Sequence, residues 1–168
     1  MTRQKTKPQK GKSEISGLGN PKESRRLGDT IKGKTIVFVV DEPEREDESL
    51  LLPYMLEDTG ASTSSKVLDY PSLFTDANGL VADILILRSS RLFEFSMDMV
   101  KQSLETFRKN NPDSAVIVCY AIEQYEEKVA PLVDCGLANT IQQTLALDIT
   151  DYDLMRVGAE ILERKQGD

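Results

Sequence analysis

The sequence predicts an α/β domain built on a parallel sheet, and three observations carry the prediction. Short and almost wholly apolar runs recur at residues 35–40, 84–87 and 115–120, each bounded by charged or turn-forming residues, as expected of strands buried on both faces. Stretches with apolar residues three and four positions apart lie between and after these runs, and that spacing is the helical period. Strand and helix signals alternate along the whole ordered part, five of each, which favours parallel strands joined by right-handed helical crossovers.

Charge divides the chain. Residues 1–34 hold ten Lys/Arg against three Asp/Glu, a net of +7, whereas residues 35–168 hold eleven against twenty-five, a net of −14; together they give the −7 of the whole chain. The first stretch is rich in Lys, Gly, Ser, Pro and Gln, with Ile15, Leu18, Leu27 and Ile31 as its large apolar residues. It buries too little surface to offset the entropy of ordering, so residues 1–32 are predicted to be a disordered basic tail and residues 33–168 the folded domain. Lys5, Lys7, Lys10, Lys12, Lys22, Arg25 and Arg26 suit phosphate contacts, which makes nucleic acid a candidate partner; a solvated tail is the plainer reading. No aromatic is interleaved for base stacking. Gly17-Leu18-Gly19-Asn20 looks like the start of a nucleotide fingerprint, but no strand precedes it.

Absences narrow the chemistry. The chain has no histidine, so imidazole bases, His-ligated metal and Ser-His or Cys-His nucleophile pairs are excluded. Cys119 and Cys135 are too few for a structural zinc site and fit a reducing compartment. No apolar run follows the first charges, and none approaches the ~20 residues of a membrane span. A soluble, cytoplasmic protein without membrane contact is expected.

In chain order, residues 34–40 read as the first strand, followed by Asp41, Glu42 and Pro43. Ser49 is a candidate N-cap for a helix bearing Leu51, Leu52, Met55 and Leu56, which Pro53 shortens or kinks and Gly60 ends. Residues 64–70 form a weaker, more polar strand suited to an edge. A short helix around residues 73–78 returns the chain to the central strand at residues 82–90, read Ala-Asp-Ile-Leu-Ile-Leu-Arg-Ser-Ser. Met97, Val100, Leu104 and Phe107 share one helical face, and Asn110-Asn111-Pro112-Asp113 ends that helix. Phe93, Phe95, Met97 and Met99 alternate as either core or an exposed contact patch. After the strand at 115–120 come a helix over 124–134, interrupted by Pro131 and ended by Cys135-Gly136, and a short strand at 138–141. Thr150 with Asp153 resembles a capping box for a last helix with Leu154, Met155, Gly158, Ile161 and Leu162 on its inner stripe. Cys119 reads as a small core residue, Cys135 as exposed.

Order, lengths and landmarks over residues 34–165 resemble the receiver domain of bacterial response regulators. The landmarks are Ile36-Val37-Phe38-Val39-Val40-Asp41-Glu42-Pro43, Ala82-Asp83-Ile84-Leu85-Ile86-Leu87, residues 113–121, and Cys135-Gly136-Leu137-Ala138-Asn139-Thr140-Ile141. The resemblance implies a flavodoxin-like, doubly wound five-stranded sheet in the order 2-1-3-4-5. It also implies that Asp41 and Glu42 occupy the places of the acidic pair that holds magnesium in the family. The departures are three: Arg88 stands where the family has its phosphorylated aspartate, Tyr120 where it has a Ser/Thr, and Gln143 where it has a lysine.

A guanidinium has no lone pair to attack a phosphoryl group, so acyl-phosphate formation at Arg88 is excluded. Asp41, Glu42, Arg88, Tyr120 and Gln143 thus outline a degenerate phosphorylation pocket. An ion pair between Arg88 and the acids would neutralise the carboxylates that bind magnesium, so weak or no metal binding is expected, and no cofactor. The alternative for Arg88 is an anion contact together with Ser89, Ser90 and Arg91.

The leading expectation is a non-enzymatic pseudo-receiver that acts as a signalling adaptor through protein–protein contacts. The resemblance makes homodimerisation through the fourth helix, fifth strand and fifth helix, about residues 123–164, a further expectation. Nucleic-acid binding through the tail and small-ligand or nucleotide sensing are the alternatives.

Overall fold

The computed structural model describes residues 28–41, 64–89, 96–120, 126–143 and 151–167. Strands β1 (Thr35–Val40), β2 (Ser64–Asp69), β3 (Ile84–Ser89), β4 (Ala115–Tyr120) and β5 (Thr140–Gln143) form one sheet in the order β2-β1-β3-β4-β5, with every pairing parallel. This is the flavodoxin-like α/β topology. The inner strands β1, β3 and β4 are the β-branched and aliphatic runs TIVFVV, ILILRS and AVIVCY. The two edges are the polar strands SSKVLD and TIQQ, as solvation of their outer flanks favours.

The longer helices described are α1 (Tyr70–Asp76), α2 (Met97–Asn110), α3 (Glu126–Asp134) and α4 (Asp151–Gly167), with a 3-10 turn at Ala77–Gly79 after α1. Strand residues alternate between faces, and the core accordingly divides in two. Val37, Val39, Leu85, Leu87, Val116 and Val118 pack with Tyr70 and Leu73 of α1, Val100, Leu104 and Phe107 of α2, and Val129 and Leu132 of α3. Ile36, Phe38, Ile84, Ile86, Ile117 and Cys119 pack on the opposite face, under Leu154, Met155, Ile161 and Leu162 of α4. Burial on both faces is why the inner strands read as unbroken apolar runs rather than alternating ones. Among the described residues no helix is long and apolar enough to cross a membrane.

Several boundaries differ from the sequence expectation. Residues 28–31 form a helical turn, and Ile31 is fully buried against the α4 face, so the packed structure begins before the expected limit at residue 32. A lone isoleucine is a weak sequence signal, yet burying it contributes about 1.5–3 kcal/mol. Thr30 adds a tertiary tie, donating its hydroxyl to Glu163 Oε1 at 3.0 Å. α1 starts at Tyr70 rather than near Leu73, because Asp69 caps it by accepting the Ser72 N–H at 2.8 Å and Pro71 fits its first turn. Pro131 lies inside α3 without interrupting it; both Pro131 and Glu127, the residue four before it, are exposed, so the carbonyl that loses its helical donor is open to solvation. Gly136, at φ +77°, supplies the left-handed residue that ends α3. β5 begins two residues later than expected, at Thr140; just before it the Asn139 side chain, rather than a strand carbonyl, accepts the Val116 N–H at 2.9 Å. The expected helix of residues 49–60, the aromatic residues Phe93 and Phe95, and the cap at Thr150 lie outside the described residues. Cys119 is buried and Cys135 exposed.

The inner stripe of α4 contains one glycine that the packing requires. A β-carbon at Gly158 would stand 2.7 Å from Cγ2 of Ile84, a fully buried residue that opens β3. Gly158→Ala is therefore expected to lower stability by about 1–3 kcal/mol through forced displacement of Ile84, despite alanine's better helix propensity. Urea unfolding checks this: the midpoint falls while the slope is retained.

Candidate functional site

The register brings together the strand ends that the sequence singled out. Val39 lies beside Leu87, Arg88 beside Cys119, Ser89 beside Tyr120, and Tyr120 beside Gln143. Asp41 directly follows β1. Asp41, Arg88, Tyr120 and Gln143 therefore leave neighbouring strands at one carboxyl end of the sheet. The chain order reverses between β1 and β3, and that reversal is where open sheets of this type bind ligands. Glu42, Ser90 and Arg91 lie outside the described residues, and Ser89 and Gln143 are described as strand backbone.

The side chains there do not all face one mouth. By strand alternation Arg88, partly buried, shares the α4 face with Ile84 and Ile86. Tyr120 belongs to the opposite core with Val116 and Val118 and is 1% exposed. A ring packed in that way is a structural group, unlike a hydroxyl presented at the surface.

Tyr70, which the sequence did not single out, joins this end of the sheet. It is the first residue of α1 and fully buried, and its hydroxyl donates to the carbonyl oxygen of Arg88 at 3.3 Å. Burial holds its phenol well above the ordinary tyrosine range, the carboxylate of Asp41 raises it further, and Cys119 adds a smaller push. Asp41 is thus close enough to act electrostatically on a phenol that is itself bonded to Arg88. The signal for Tyr70 was present in Asp69-Tyr70-Pro71-Ser72, a cap followed by a proline, which moves the helix start forward.

No family model matches this chain, and no curated protein matches it. Function is read from the two ends of the sheet.

The amino end is a denser polar construction, and sequence reasoning missed it. The Asp83 N–H donates to Thr35 O at 2.8 Å, the Thr35 N–H donates to Asp83 Oδ2 at 2.9 Å, and the Ala115 N–H donates to Asp83 O at 2.9 Å, which ties the starts of β1, β3 and β4. Asn111, buried at the end of α2, accepts the Ala82 N–H at 3.3 Å and donates to Leu80 O at 2.9 Å and Phe107 O at 3.0 Å. Ser114 donates its hydroxyl to Ala82 O. Arg108 uses all three of its side-chain nitrogens, Nε donating to Leu137 O at 3.2 Å, Nη1 to Ser114 O at 2.5 Å and Nη2 to Asn139 Oδ1 at 2.7 Å, and Asn139 Oδ1 also accepts the Val116 N–H at 2.9 Å. Lys165 reaches the same Ser114 oxygen at 3.3 Å. Burial lowers the Arg108 guanidinium from its ordinary value, with Asp113 opposing. Burial and then the Arg108 charge lower Lys165, again against Asp113. A cavity of about 450 Å³ opens beside this cluster, with Lys34, Asp83, Asp113, Lys165 and the exposed Val81 among its walls. Asn111 was visible as an anomaly: it continues the series Val100, Leu104, Phe107 as a polar residue in an apolar position.

Tyr70→Phe removes one buried hydrogen bond and is expected to cost about 0.5–1.5 kcal/mol near neutral pH. Because the folded phenol titrates above its ordinary value of 10.0, the folded state holds its proton more tightly than the unfolded chain. Its contribution to stability is complete below that value and is lost as pH rises towards the folded value. The phenylalanine variant lacks this part of the alkaline decline, and urea midpoints from about pH 8 to 11 reveal it. Asn111→Leu keeps the volume but strands the Ala82 N–H and the Leu80 carbonyl, at an expected cost of about 2–4 kcal/mol by the same measurement.

Proposed function

We propose that the chain is a non-phosphorylatable pseudo-receiver, a regulatory module that works by contact with a partner protein rather than by chemistry. The observation that carries this reading is the place of Arg88. In a 2-1-3-4-5 sheet it sits at the carboxyl end of β3, beside the end of β1 and Asp41, where the resembled family bears the aspartate that accepts phosphate. A guanidinium lacks the lone pair for attack on phosphorus and stays protonated at any physiological pH.

The surroundings agree with a fixed state. Tyr120 is packed in the core, and Tyr70 bonds the backbone of Arg88 from below, so the β3 end is held by groups without a charge to gain or lose near neutral pH. A module of this kind presents one shape to its partner. The edge strand β5 with α3 and α4 is the expected face for pairing with a second copy. An enzymatic reading has less support: the chain has no histidine, and no Gly-rich phosphate loop follows β1.

Treatment with a small phosphodonor in the presence of magnesium, followed by intact-mass measurement, tests the proposal. The expected outcome is an unchanged mass for the folded protein. Gain of one phosphoryl group, lost on Asp41→Asn substitution, would overturn it.

A further inference from the structure

We infer that the amino end of the sheet is a docking site for the phosphate backbone of duplex nucleic acid, with Lys34 and Lys165 as its folded contacts, on a surface separate from the Arg88 end. Lys34 and Lys165 line one cavity, although they lie near opposite ends of the described residues. Exposed Lys32 and Arg164 flank them in sequence. The Thr30 hydroxyl bonded to Glu163, together with the buried Ile31, sets the segment before β1 against the end of α4, which brings Lys34 and Lys165 to one cavity.

Among the described residues the two lysines of the cavity are not ion-paired. Among the described residues Arg156 pairs with Asp153 at 3.5 Å and Glu160 at 3.6 Å, but Lys34 and Lys165 form no salt bridge. Lys165 and Arg108 instead converge on one neutral acceptor, the Ser114 carbonyl oxygen. Of the two carboxylates that line the cavity, Asp83 accepts the Thr35 N–H, and exposed Asp113 offsets part of the Lys165 and Arg108 charge. An anionic oxygen bound beside Lys165 would offset the like charge of Arg108.

Sequence context selects a polyanion over a small phosphate. The cavity lies beside the segment that continues, towards the amino terminus, into Arg26, Arg25 and Lys22, within residues 1–34 of net charge +7. Those residues contain no aromatic for stacking on single-stranded bases, which leaves the duplex backbone as the matching partner. Lipid surfaces match less well, because the basic stretch has no Trp, Tyr or Phe to anchor it. The net charge of −14 on residues 35–168 repels nucleic acid elsewhere, so binding is confined to this end and is steep in salt.

Fluorescence anisotropy of a duplex oligonucleotide with the full chain, from about 50 to 200 mM salt, tests the inference. Wild type is expected to bind with a negative log–log salt slope. Lys34→Gln shallows that slope by about 0.9, and the Lys34→Gln/Lys165→Gln pair by about 1.8. Lys34→Arg/Lys165→Arg retains the wild-type slope. The single Lys34 change is the control for folding, since its ammonium makes no hydrogen bond among the described residues. The inference is overturned by absence of binding in wild type, by an unchanged slope in the glutamine variants, or by loss of binding in the arginine pair. Competition by inorganic phosphate or a mononucleotide as effective as by duplex, per phosphate, would also overturn it, as would equal binding to vesicles of anionic lipid.

Discussion

Asp83 joins the starts of three strands: its N–H bonds β1, its carboxylate bonds the first amide of β1, and its carbonyl receives the first amide of β4. Register in a parallel sheet is a choice made once per strand, and a slip of one residue would turn every side chain to the wrong face. Here Ile36 lies beside Ile84, and Ile84 beside Ala115, directly beyond the Asp83 bonds. The two-sided core follows, with Val37, Val39, Leu85 and Leu87 under α1, α2 and α3 and with Ile36, Phe38, Ile84 and Ile86 under α4. The residues that emerge at the far ends of the strands are set by the same choice.

The fold was legible because its signals are redundant. Inner strands buried on both faces must be apolar throughout, and the stripes Val100-Leu104-Phe107 and Leu154-Met155-Ile161-Leu162 repeat at helical spacing. What was not legible depended on single residues whose meaning is tertiary. Ile31 looks like one apolar residue in a basic stretch until α4 is laid over it. Pro131 looks like a helix breaker until it and Glu127, one turn before it, are seen to face solvent. The start of α1 turned on a cap at Asp69 that competes, in sequence, with reading Tyr70 as the last residue of an edge strand.

For the candidate site the balance was different. The backbone of Asp41, Arg88, Tyr120 and Gln143 does meet at one end of the sheet, because strand order and strand length are both functions of the hydrophobic pattern. Pattern alone could not say that Tyr120 points into the core or that Tyr70 lies beneath Arg88. The amino end escaped for a related reason. Its members, Asp83, Arg108, Asn111, Ser114, Asn139 and Lys165, are scattered in sequence and are ordinary polar residues one by one; only the packing gives each a buried carbonyl or amide to satisfy.

The turn at residues 28–31 has a mechanical consequence. A pull on the chain from its amino-terminal side acts first on the seat of Ile31 and on the Thr30–Glu163 bond, and through them on α4 rather than on the sheet. α4 in turn is seated with Gly158 against Ile84 at the start of β3. Tension applied at one terminus therefore loads the helix near the other as a shear along its contact with the strands, Ile84 of the central strand among them.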